Sequence, residues 1–320
     1  MKLLVLTILA VFPATAQAAT VGLEGTELVY RSAPGQADLV EVEDEAGVFT
    51  FENQLEDQVE ITPGPGCERA GKNVRCAGRG VTTLRLLTAD GDDEAATYVA
   101  VPVVADLGSG NDRFGGSGPS IVVAAGDGDD QTGFAGGPGS MDLGPGNDSG
   151  TVTSVGPATV EGGEGNDKLF ADGTSKRGVV LSGGAGDDEI RVEAHERRPG
   201  FDVACGSGDD ATYLRLADRP GDGCAAHVAL ASTRTVSRRF GPAMLTAPAS
   251  GSVEYRHASG TTLARGTFDA PAGPLRVRLN TTKAGGRVIR REREPKVHVR
   301  IRTRAGGDRG QVRFNSTLRP

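Results

Sequence analysis

The sequence contains no tryptophan, and aromatic residues make up only 4% of its 320 positions. It contains 48 glycines instead. That much glycine does not suit a helical or sandwich core, and the glycines lack the period of three that a collagen helix requires. Repeated tight turns, in which glycine adopts backbone angles that other residues avoid, account for this composition best.

Long apolar runs are also missing after the N-terminus. No later segment has the roughly 18 apolar residues that a membrane-spanning helix needs. Met1 to Ala18 combines a lysine, a short apolar stretch and an Ala-Gln-Ala ending, which is typical of a cleaved secretory signal peptide. A membrane anchor is the alternative for this segment. We therefore expect a secreted, extracellular protein with no membrane span.

Common enzyme signatures are absent as well. The chain has no GxSxG, no HExxH and no phosphate-binding GxxxxGK(S/T) motif. Its four histidines are scattered, at His195, His227, His257 and His298, and we expect His195 to lie in a loop. These absences predict no catalytic residues and no enzyme. A secreted hydrolase with an unrecognised active site is the alternative.

The sequence does contain a repeat, in which a glycine is followed by Asn or Asp and then by Asp. EGGEGNDKLF, from Glu161 to Phe170, is its clearest copy. A period of about 20 residues that recurs along the chain indicates a solenoid. The anchoring glycines of the seven copies are Gly91, Gly110, Gly128, Gly146, Gly165, Gly186 and Gly208.

Apolar residues recur at fixed distances from each anchoring glycine. Leu84 and Leu86 precede Gly91 as Val179 and Leu181 precede Gly186, and only Gly139 breaks this pattern among the preceding positions. Side chains two residues apart lie on one face of a strand, so each period predicts two short strands and one turn. Because one period cannot bury its own face, neighbouring turns must stack to form a core. The predicted fold is all-β, a parallel β-solenoid.

Changes in composition predict the domain organisation. After the signal peptide (1–18), residues 20–81 form an N-terminal β cap, with an independent binding domain as the alternative. The repeat array covers 82–224, a linker covers 225–250, and a small antiparallel β domain covers 251–320. LRVRLN and KVHVRIRTR alternate apolar residues with arginine, as strands of a one-sided sheet do, and TKAGGR (Thr282 to Arg287) is predicted to be a turn.

Charge is divided unevenly between these segments. From Ala225 to Pro320 there are 19 Lys and Arg against 5 Asp and Glu, while the rest of the chain has 16 against 37. A sheet with solvated charges is one explanation of the basic region. A second explanation is that the basic region binds an anionic polymer of the cell surface. A third is that it docks on the acidic repeat array. We expect no nucleic-acid partner, because aromatic side chains for base stacking are lacking around Phe314.

Four cysteines suit an exported protein. They allow three pairings, but Cys67 and Cys76, and Cys205 and Cys224, are close in sequence. We therefore expect two local disulfides. A zinc site is the alternative, although the spacing lacks paired CxxC steps.

The Asp that ends each Gly-Asx-Asp motif recurs at equivalent positions of stacked turns. Carboxylates about 4.8 Å apart repel by roughly 1 kcal/mol even in water, so structure alone does not favour Asp in every copy. A hard cation between turns removes the repulsion. Ca²⁺ accepts six to eight carboxylate and carbonyl oxygens, whereas Mg²⁺ requires a stricter octahedron. A calcium-independent structural solenoid with solvated acidic turns is the alternative.

GGEGNDKLF and SGGAGDDEI resemble the nonapeptide of RTX (hemolysin-type) calcium-binding repeats, and the chain is similar to secreted RTX-like proteins of high-GC bacteria. The resemblance implies a right-handed parallel β-roll loaded with Ca²⁺, which folds or rigidifies outside the cell as a structural or surface-interaction module. Here the motif occurs once per turn, so we expect one column of calcium ions. The copy at Gly91 departs from the motif at Ala89 and Asp90 and is left out.

The expected calcium ligands are four residues of each remaining copy. They are Gly108, Gly110, Asn111 and Asp112; Gly126, Gly128, Asp129 and Asp130; Gly144, Gly146, Asn147 and Asp148; Gly163, Gly165, Asn166 and Asp167; Gly184, Gly186, Asp187 and Asp188; and Gly206, Gly208, Asp209 and Asp210.

Overall fold

A computed structural model describes most of the chain. The predicted signal peptide lies outside the described residues apart from Ala18, as do His195 and His227. The described residues are 18–53, 60–154, 156–173, 178–194, 201–215, 219–220, 224, 228–230, 235–236, 239–245, 248–292, 294–305 and 308–319.

The N-terminal region consists of short strands that alternate buried and exposed residues. Its antiparallel hairpins β1–β2, β3–β4 and β6–β7 lie at one end of the repeat array. The strands are β1 (Thr20–Glu24), β2 (Glu27–Arg31), β3 (Leu39–Glu45), β4 (Val48–Asn53), β5 (Thr62–Pro63), β6 (Cys67–Ala70) and β7 (Asn73–Ala77).

The repeat array contributes two strands per period. They are β8 (Thr83–Leu87), β9 (Glu94–Tyr98), β10 (Val103–Asp106), β11 (Arg113–Gly118), β12 (Ile121–Ala124), β13 (Gln131–Gly136), β14 (Gly139–Asp142), β15 (Ser149–Ser154), β16 (Ala158–Glu164), β17 (Lys168–Gly173), β18 (Val179–Ala185), β19 (Glu189–Ala194), β20 (Asp202–Ser207) and β21 (Ala211–Arg215).

These strands form two parallel sheets, one from the even-numbered strands β8 to β20 and one from the odd-numbered strands β9 to β21. Each strand pairs with its counterpart one period away, so that Val103 lies opposite both Leu84 and Ile121. The prediction of an all-β fold with a parallel solenoid is confirmed. The N-terminal region continues both sheets, because β2 pairs in parallel with β8 and β3 pairs in parallel with β9.

Apolar side chains from both sheets meet in one continuous core, which runs from Ala19 in the N-terminal region to Leu214. Gly139, the exception in the apolar pattern, has a steric explanation. A Cβ there would lie 2.3 Å from the Ile121 carbonyl oxygen and 2.8 Å from the Phe134 ring. The phenylalanine from the opposite sheet therefore occupies the space that a side chain at position 139 needs.

The C-terminal region is mostly antiparallel and has its own core. β22 (Arg219–Pro220) still pairs in parallel with β20 and ends the first sheet of the array. The elements of the C-terminal region are β23 (Val228–Leu230), β24 (Thr235–Val236), β25 (Arg239–Leu245), β26 (Ala249–His257), β27 (Thr262–Ala270), β28 (Gly273–Arg278), β29 (Asn280–Thr281), α1 (Lys283–Arg291), β30 (Lys296–Ala305) and β31 (Asp308–Leu318). The two arginine-rich segments predicted as strands correspond to β28 and β30. Three strands, β23 to β25, lie in the range predicted as a linker.

The last strand joins this region to the array. β31 pairs in parallel with β21, and the Arg309 N–H donates to the carbonyl oxygen of Asp210 at 2.8 Å. The second sheet of the solenoid therefore continues, in order, through β21, β31, β30, β26 and β27.

The predicted turn at Thr282 to Arg287 is wrong, because helix α1 begins there. The Thr282 hydroxyl accepts a hydrogen bond from the Gly285 N–H and so caps the helix, and basic residues in the last turn suit the helix dipole. Gly285 is required for packing, since a Cβ there would lie 2.1 Å from the Leu263 carbonyl oxygen. Of the two glycines that suggested a turn, Gly285 is the one that allows the helix to lie against β27.

Both expected disulfides are present, and the described chain has no free cysteine. Cys67 and Cys76 lie directly opposite each other in the β6–β7 hairpin. Cys205 lies in β20, so its bond to Cys224 holds the segment that follows the last repeat against the end of the core.

The glycines of the stacked turns should tolerate no side chain. At Gly128 φ is +136°, and a Cβ would lie 1.8 Å from the Gly110 carbonyl oxygen of the preceding turn. At Gly260 φ is +85°, but no atom lies within 4 Å of the added Cβ. We expect Gly260→Ala to cost about 1 kcal/mol of unfolding free energy. Gly128→Ala should cost about 3 kcal/mol more, because the clash adds to the backbone strain.

Urea unfolding of both variants in chelator measures this difference. Equal destabilisation by the two substitutions would mean that the turns are not stacked as closely as the structure places them.

Candidate metal centre

A column of buried aspartates runs along one edge of the array. Asp38 of the N-terminal region precedes this column, with 7% of its surface exposed. The others are 0 to 2% exposed and lie at equivalent positions of successive turns: Asp93, Asp112, Asp130, Asp148, Asp167, Asp188 and Asp210.

Backbone hydrogen bonds hold these carboxylates in place. The N–H of Asp148 donates to Oδ1 of Asp167 in the following turn at 2.8 Å, and the Asp167 N–H donates to Oδ1 of Asp188 at 2.9 Å. The same bond links every neighbouring pair from Asp38 to Asp210, at 2.6 to 3.0 Å. One oxygen of each carboxylate therefore joins two turns, a role that an asparagine could also fill.

The exposed residue before each buried aspartate forms a second column, with hydrogen bonds in the opposite direction. The Asn166 N–H donates to Oδ1 of Asn147 in the preceding turn at 3.0 Å, and the Asp187 N–H donates to Oδ1 of Asn166 at 2.7 Å. The column contains Asp92, Asn111, Asp129, Asn147, Asn166, Asp187 and Asp209. Its side chains thus already have a structural role, whether or not a metal is bound.

Two columns of glycine complete the turns. Gly163 and Gly165 have φ of +113° and +123°, and a Cβ on either would lie within 2.0 Å of a carbonyl oxygen of the preceding turn. The same holds, within 2.1 Å, for their equivalents in the other five copies. The glycine signature is therefore explained by close stacking of turns, and it does not by itself require calcium.

The second carboxylate oxygen, Oδ2, is the part of the column that stacking does not explain. In Asp112, Asp130, Asp148, Asp167 and Asp188 this oxygen is buried and has no hydrogen-bond partner. A buried carboxylate oxygen without a donor is costly, so these positions require a proton or a cation.

The space beside Oδ2 differs between turns, because of the residue three positions before each anchoring glycine. In two turns that residue is Gly162 or Gly183. A Cβ on Gly162 would lie 2.4 Å from Oδ2 of Asp167 and 2.1 Å from the carbonyl oxygen of Gly183. A Cβ on Gly183 would lie 2.3 Å from Oδ2 of Asp188 and 2.5 Å from the carbonyl oxygen of Cys205. In both turns two acceptor oxygens approach one point, with no donor between them.

The earlier turns have a side chain at this position. Leu107, Ala125 and Leu143 are each at most 1% exposed and belong to the hydrophobic core. The carboxyls of Asp112, Asp130 and Asp148 therefore lie beside apolar groups, whereas those of Asp167 and Asp188 lie beside glycine. The predicted ligand sets are brought into one column, but the six copies are not equivalent.

Burial raises the pKa of these carboxyl groups. Desolvation is the main cause for Asp148, whose pKa rises to about 7, with smaller contributions from the neighbouring charges of Asp167 and Asp130. Desolvation likewise raises the pKa of Asp130 and Asp188 to about 6. The backbone N–H bonds to Oδ1 oppose this rise without cancelling it.

Side-chain clusters alone do not form a metal site in the described parts of the chain. Across the described residues, no three His, Cys, Asp or Glu side chains are grouped closely enough to hold an ion. A cation in this column must therefore take its ligands from carboxylate and backbone carbonyl oxygens together. That set of hard oxygens suits calcium.

Comparisons with known proteins give no identity for this chain, since no protein-family model, curated protein or solved structure matches it. Within the described ranges, the single helix is too short and too polar to cross a membrane.

One arrangement outside the array was not visible in the sequence. His257 lies between Ser259, whose Oγ is 2.8 Å from Nδ1, and Glu292, whose Oε2 is 3.3 Å from Nε2. The contact to Glu292 crosses 35 positions of the chain and only folding creates it. The Ser259 N–H also points at Nδ1, at 3.3 Å, and the Gly260 N–H donates to the His257 carbonyl oxygen. These contacts close a hairpin turn, in which the N–H groups of Ser259 and Gly260 are both engaged.

The raised pKa values predict the pH dependence of the metal-free protein. Because carboxyls such as Asp148 have a higher pKa folded than the ordinary 3.8, the folded state binds more protons than the unfolded state between about pH 4 and pH 7. Their contribution to stability is therefore present at low pH and lost as the pH rises towards 7. We expect the urea midpoint in chelator to fall over this range.

Asp148→Asn should reduce that fall and raise the midpoint at pH 7.5, because the amide keeps the Oδ1 acceptor and removes the charge. The exposed Asp142→Asn is the matched control and should change little. A metal-free midpoint that rises from pH 5 to pH 7 would contradict the buried, unpaired carboxylates.

Proposed function

We propose that this chain is a secreted calcium-binding β-solenoid protein, which becomes rigid when Ca²⁺ binds in its last complete turns. The observation that carries this proposal is the approach of Oδ2 of Asp167 and the Gly183 carbonyl oxygen to one point, without a donor. The turn with Asp188 and the Cys205 carbonyl oxygen has the same arrangement.

The donor chemistry favours calcium over other cations. Carboxylate and carbonyl oxygens at 2.3 to 2.6 Å are typical calcium ligands, and calcium tolerates irregular geometry. Mg²⁺ requires a near-ideal octahedron, which a site built from stacked turns is poorly suited to provide. When bound, the cation would neutralise the buried carboxylates. This chain's own residues would contribute Oδ2 of Asp167 and Asp188 and the turn carbonyl oxygens.

The same reasoning assigns a structural role to the other predicted ligand sets. Leu107, Ala125, Leu143 and Cys205 place a buried side chain at the position that Gly162 and Gly183 occupy in the two RTX-like turns. In those turns the aspartate holds the preceding turn through Oδ1, and we propose that no calcium binds there. The expected single column of ions is thereby shortened to the two RTX-like turns.

Calcium binding to the folded state alone would couple folding to export. A ligand that binds only the native state stabilises it in proportion to the logarithm of its concentration, so the array would be loose where calcium is scarce and stable outside the cell. The signal-peptide pattern of Met1 to Ala18 and the two disulfides support an extracellular location. The output is a rigid structural or surface-interaction module rather than a catalyst.

The calcium-independent solenoid is the main alternative, since stacking explains the glycines and the Oδ1 bonds. A calcium titration of the chelator-treated mature chain separates the two. We expect two bound calcium ions and a higher thermal midpoint with calcium than with equal Mg²⁺. No binding and no shift would favour the alternative.

A matched pair of variants tests which turns bind the ion. Asp167→Asn and Asp130→Asn are isosteric and both keep the Oδ1 acceptor, but only Asp167 has a glycine, Gly162, beside Oδ2. We expect Asp167→Asn to remove one bound calcium ion and part of the thermal shift, while Asp130→Asn changes neither. Equal loss in both variants would show that the array binds calcium along its whole length.

The hydrolase alternative now has a specific candidate in Ser259, His257 and Glu292. Labelling with a fluorophosphonate probe tests it, and Ser259→Ala is the control. We expect no labelling, because the N–H groups of Ser259 and Gly260, which lie nearest to the hydroxyl in the chain, already have acceptors within the turn. Labelling that Ser259→Ala abolishes would overturn the non-catalytic proposal.

A further inference from the structure

One face of the C-terminal sheet carries an unusual density of arginine. β27, β26, β30 and β31 pair antiparallel in that order, and Val253, Ile301 and Val312 point into the core below. Because side chains alternate along a strand, the residues between these point outwards. We call the arginines on that side the arginine face; they are Arg256, Arg265, Arg300, Arg302, Arg304, Arg309 and Arg313.

The register of the strands sets like charges side by side. Arg300 lies directly opposite Arg313, and Arg304 lies directly opposite Arg309. Like charges in such pairs destabilise a sheet, so folding does not favour this arrangement. Burial lowers the pKa of Arg300, and the neighbouring positive charges of Arg313 and Arg302 lower it further.

Few carboxylates compensate this charge. Glu254 contacts Arg256 at 3.5 Å and lies opposite Arg300. Among the described residues, Arg302, Arg304, Arg309 and Arg313 form no ion pair. The Gln311 amide lies between Arg302 and Arg313, and its oxygen accepts from Nε and Nη2 of Arg313 at 2.8 Å. The guanidinium groups of Arg304 and Arg309 are exposed and have no such partner among the described residues.

A cleft near the junction with the solenoid lies on this surface. It has a volume of about 290 Å³, and its lining includes Ser252, Arg302, Arg304 and Arg309. The Ser252 hydroxyl therefore lies among three guanidinium groups, where it can bond a polar ligand.

The polar groups between the arginines indicate which polyanion fits. Ser250, Ser252, Gln311 and Asn315 share the face and can bond sugar hydroxyls. Base stacking has little support. Tyr213 lies opposite Gln311 beside this face, but its ring is already covered by the Arg191 guanidinium, whose Cζ lies 5.0 Å from the ring centroid. The planar guanidinium matches a carboxylate in a two-bond fork.

We propose that the arginine face binds a linear polysaccharide that carries carboxylate groups. Arginines two residues apart along a strand are about 7 Å apart, and neighbouring strands are about 4.8 Å apart, so several guanidiniums can engage successive acid groups of an extended chain. The cleft beside Ser252 accepts a sugar hydroxyl. This binding does not depend on calcium, since none of its residues belongs to the aspartate column.

The test measures binding of the whole mature protein to surfaces of carboxymethyl-dextran and of neutral dextran, in calcium and in chelator. Arg302→Gln, Arg304→Gln and Arg309→Gln are combined in one variant. The matched control combines Arg287→Gln, Arg290→Gln and Arg291→Gln on helix α1, where the exposed guanidiniums face elsewhere. Urea midpoints close to that of the parent verify that both variants fold.

We expect binding to carboxymethyl-dextran but not to dextran. The face variant should bind about tenfold more weakly, from three exposed ion pairs of modest strength, and the helix variant should bind as the parent does. Equal losses in the two variants would overturn the proposal in favour of general charge attraction. A further surface carries duplex DNA of equal charge. Tighter binding to the DNA than to carboxymethyl-dextran would overturn the proposal in favour of a nucleic-acid partner. Binding to carboxymethyl-dextran should be equal in calcium and in chelator. A failure of this proposal is therefore distinguishable from a failure of the proposed calcium sites.

Discussion

The hydrogen bond from a backbone N–H to Oδ1 of the next buried aspartate is the interaction on which the rest of the array depends. It fixes each carboxylate inside the protein, where the second oxygen is left without a donor. That placement creates both the raised pKa of groups such as Asp148 and the need for a proton or a cation. The close spacing of turns that makes the bond requires glycine at two positions before each aspartate, so the glycines and the invariant aspartate of the repeat have one common cause.

Much of the fold could be predicted from the sequence, because the repeat places the same residue types at the same point of each turn. The strand pairs, the parallel stacking and both disulfides follow from spacings of about 20 residues or fewer. The unequal turns were harder to see. The sequence shows glycine at position 162 where the earlier turn has Leu107. That this position lies beside Oδ2 of the aspartate depends on the register of the folded strands.

The features that could not be predicted involve residues far apart in the chain. Nothing local indicates that β31 pairs with β21, or that Glu292 reaches His257. Helix α1 was missed because its glycines have low helix propensity, and only the surface of β27 makes a small residue necessary at Gly285. Sequence patterns describe each segment's own preferences, whereas these contacts are decided by what lies opposite.

The position of β31 has a consequence for the order in which the protein is completed. The array emerges from the ribosome or the export channel well before the last strand of the chain, and until then β21 has an open row of backbone donors and acceptors. An open parallel edge of this kind can pair with an equivalent edge on another molecule. β31 therefore protects this edge, and a molecule in which Asp308 to Leu318 has not yet paired would be prone to join end to end with its neighbours.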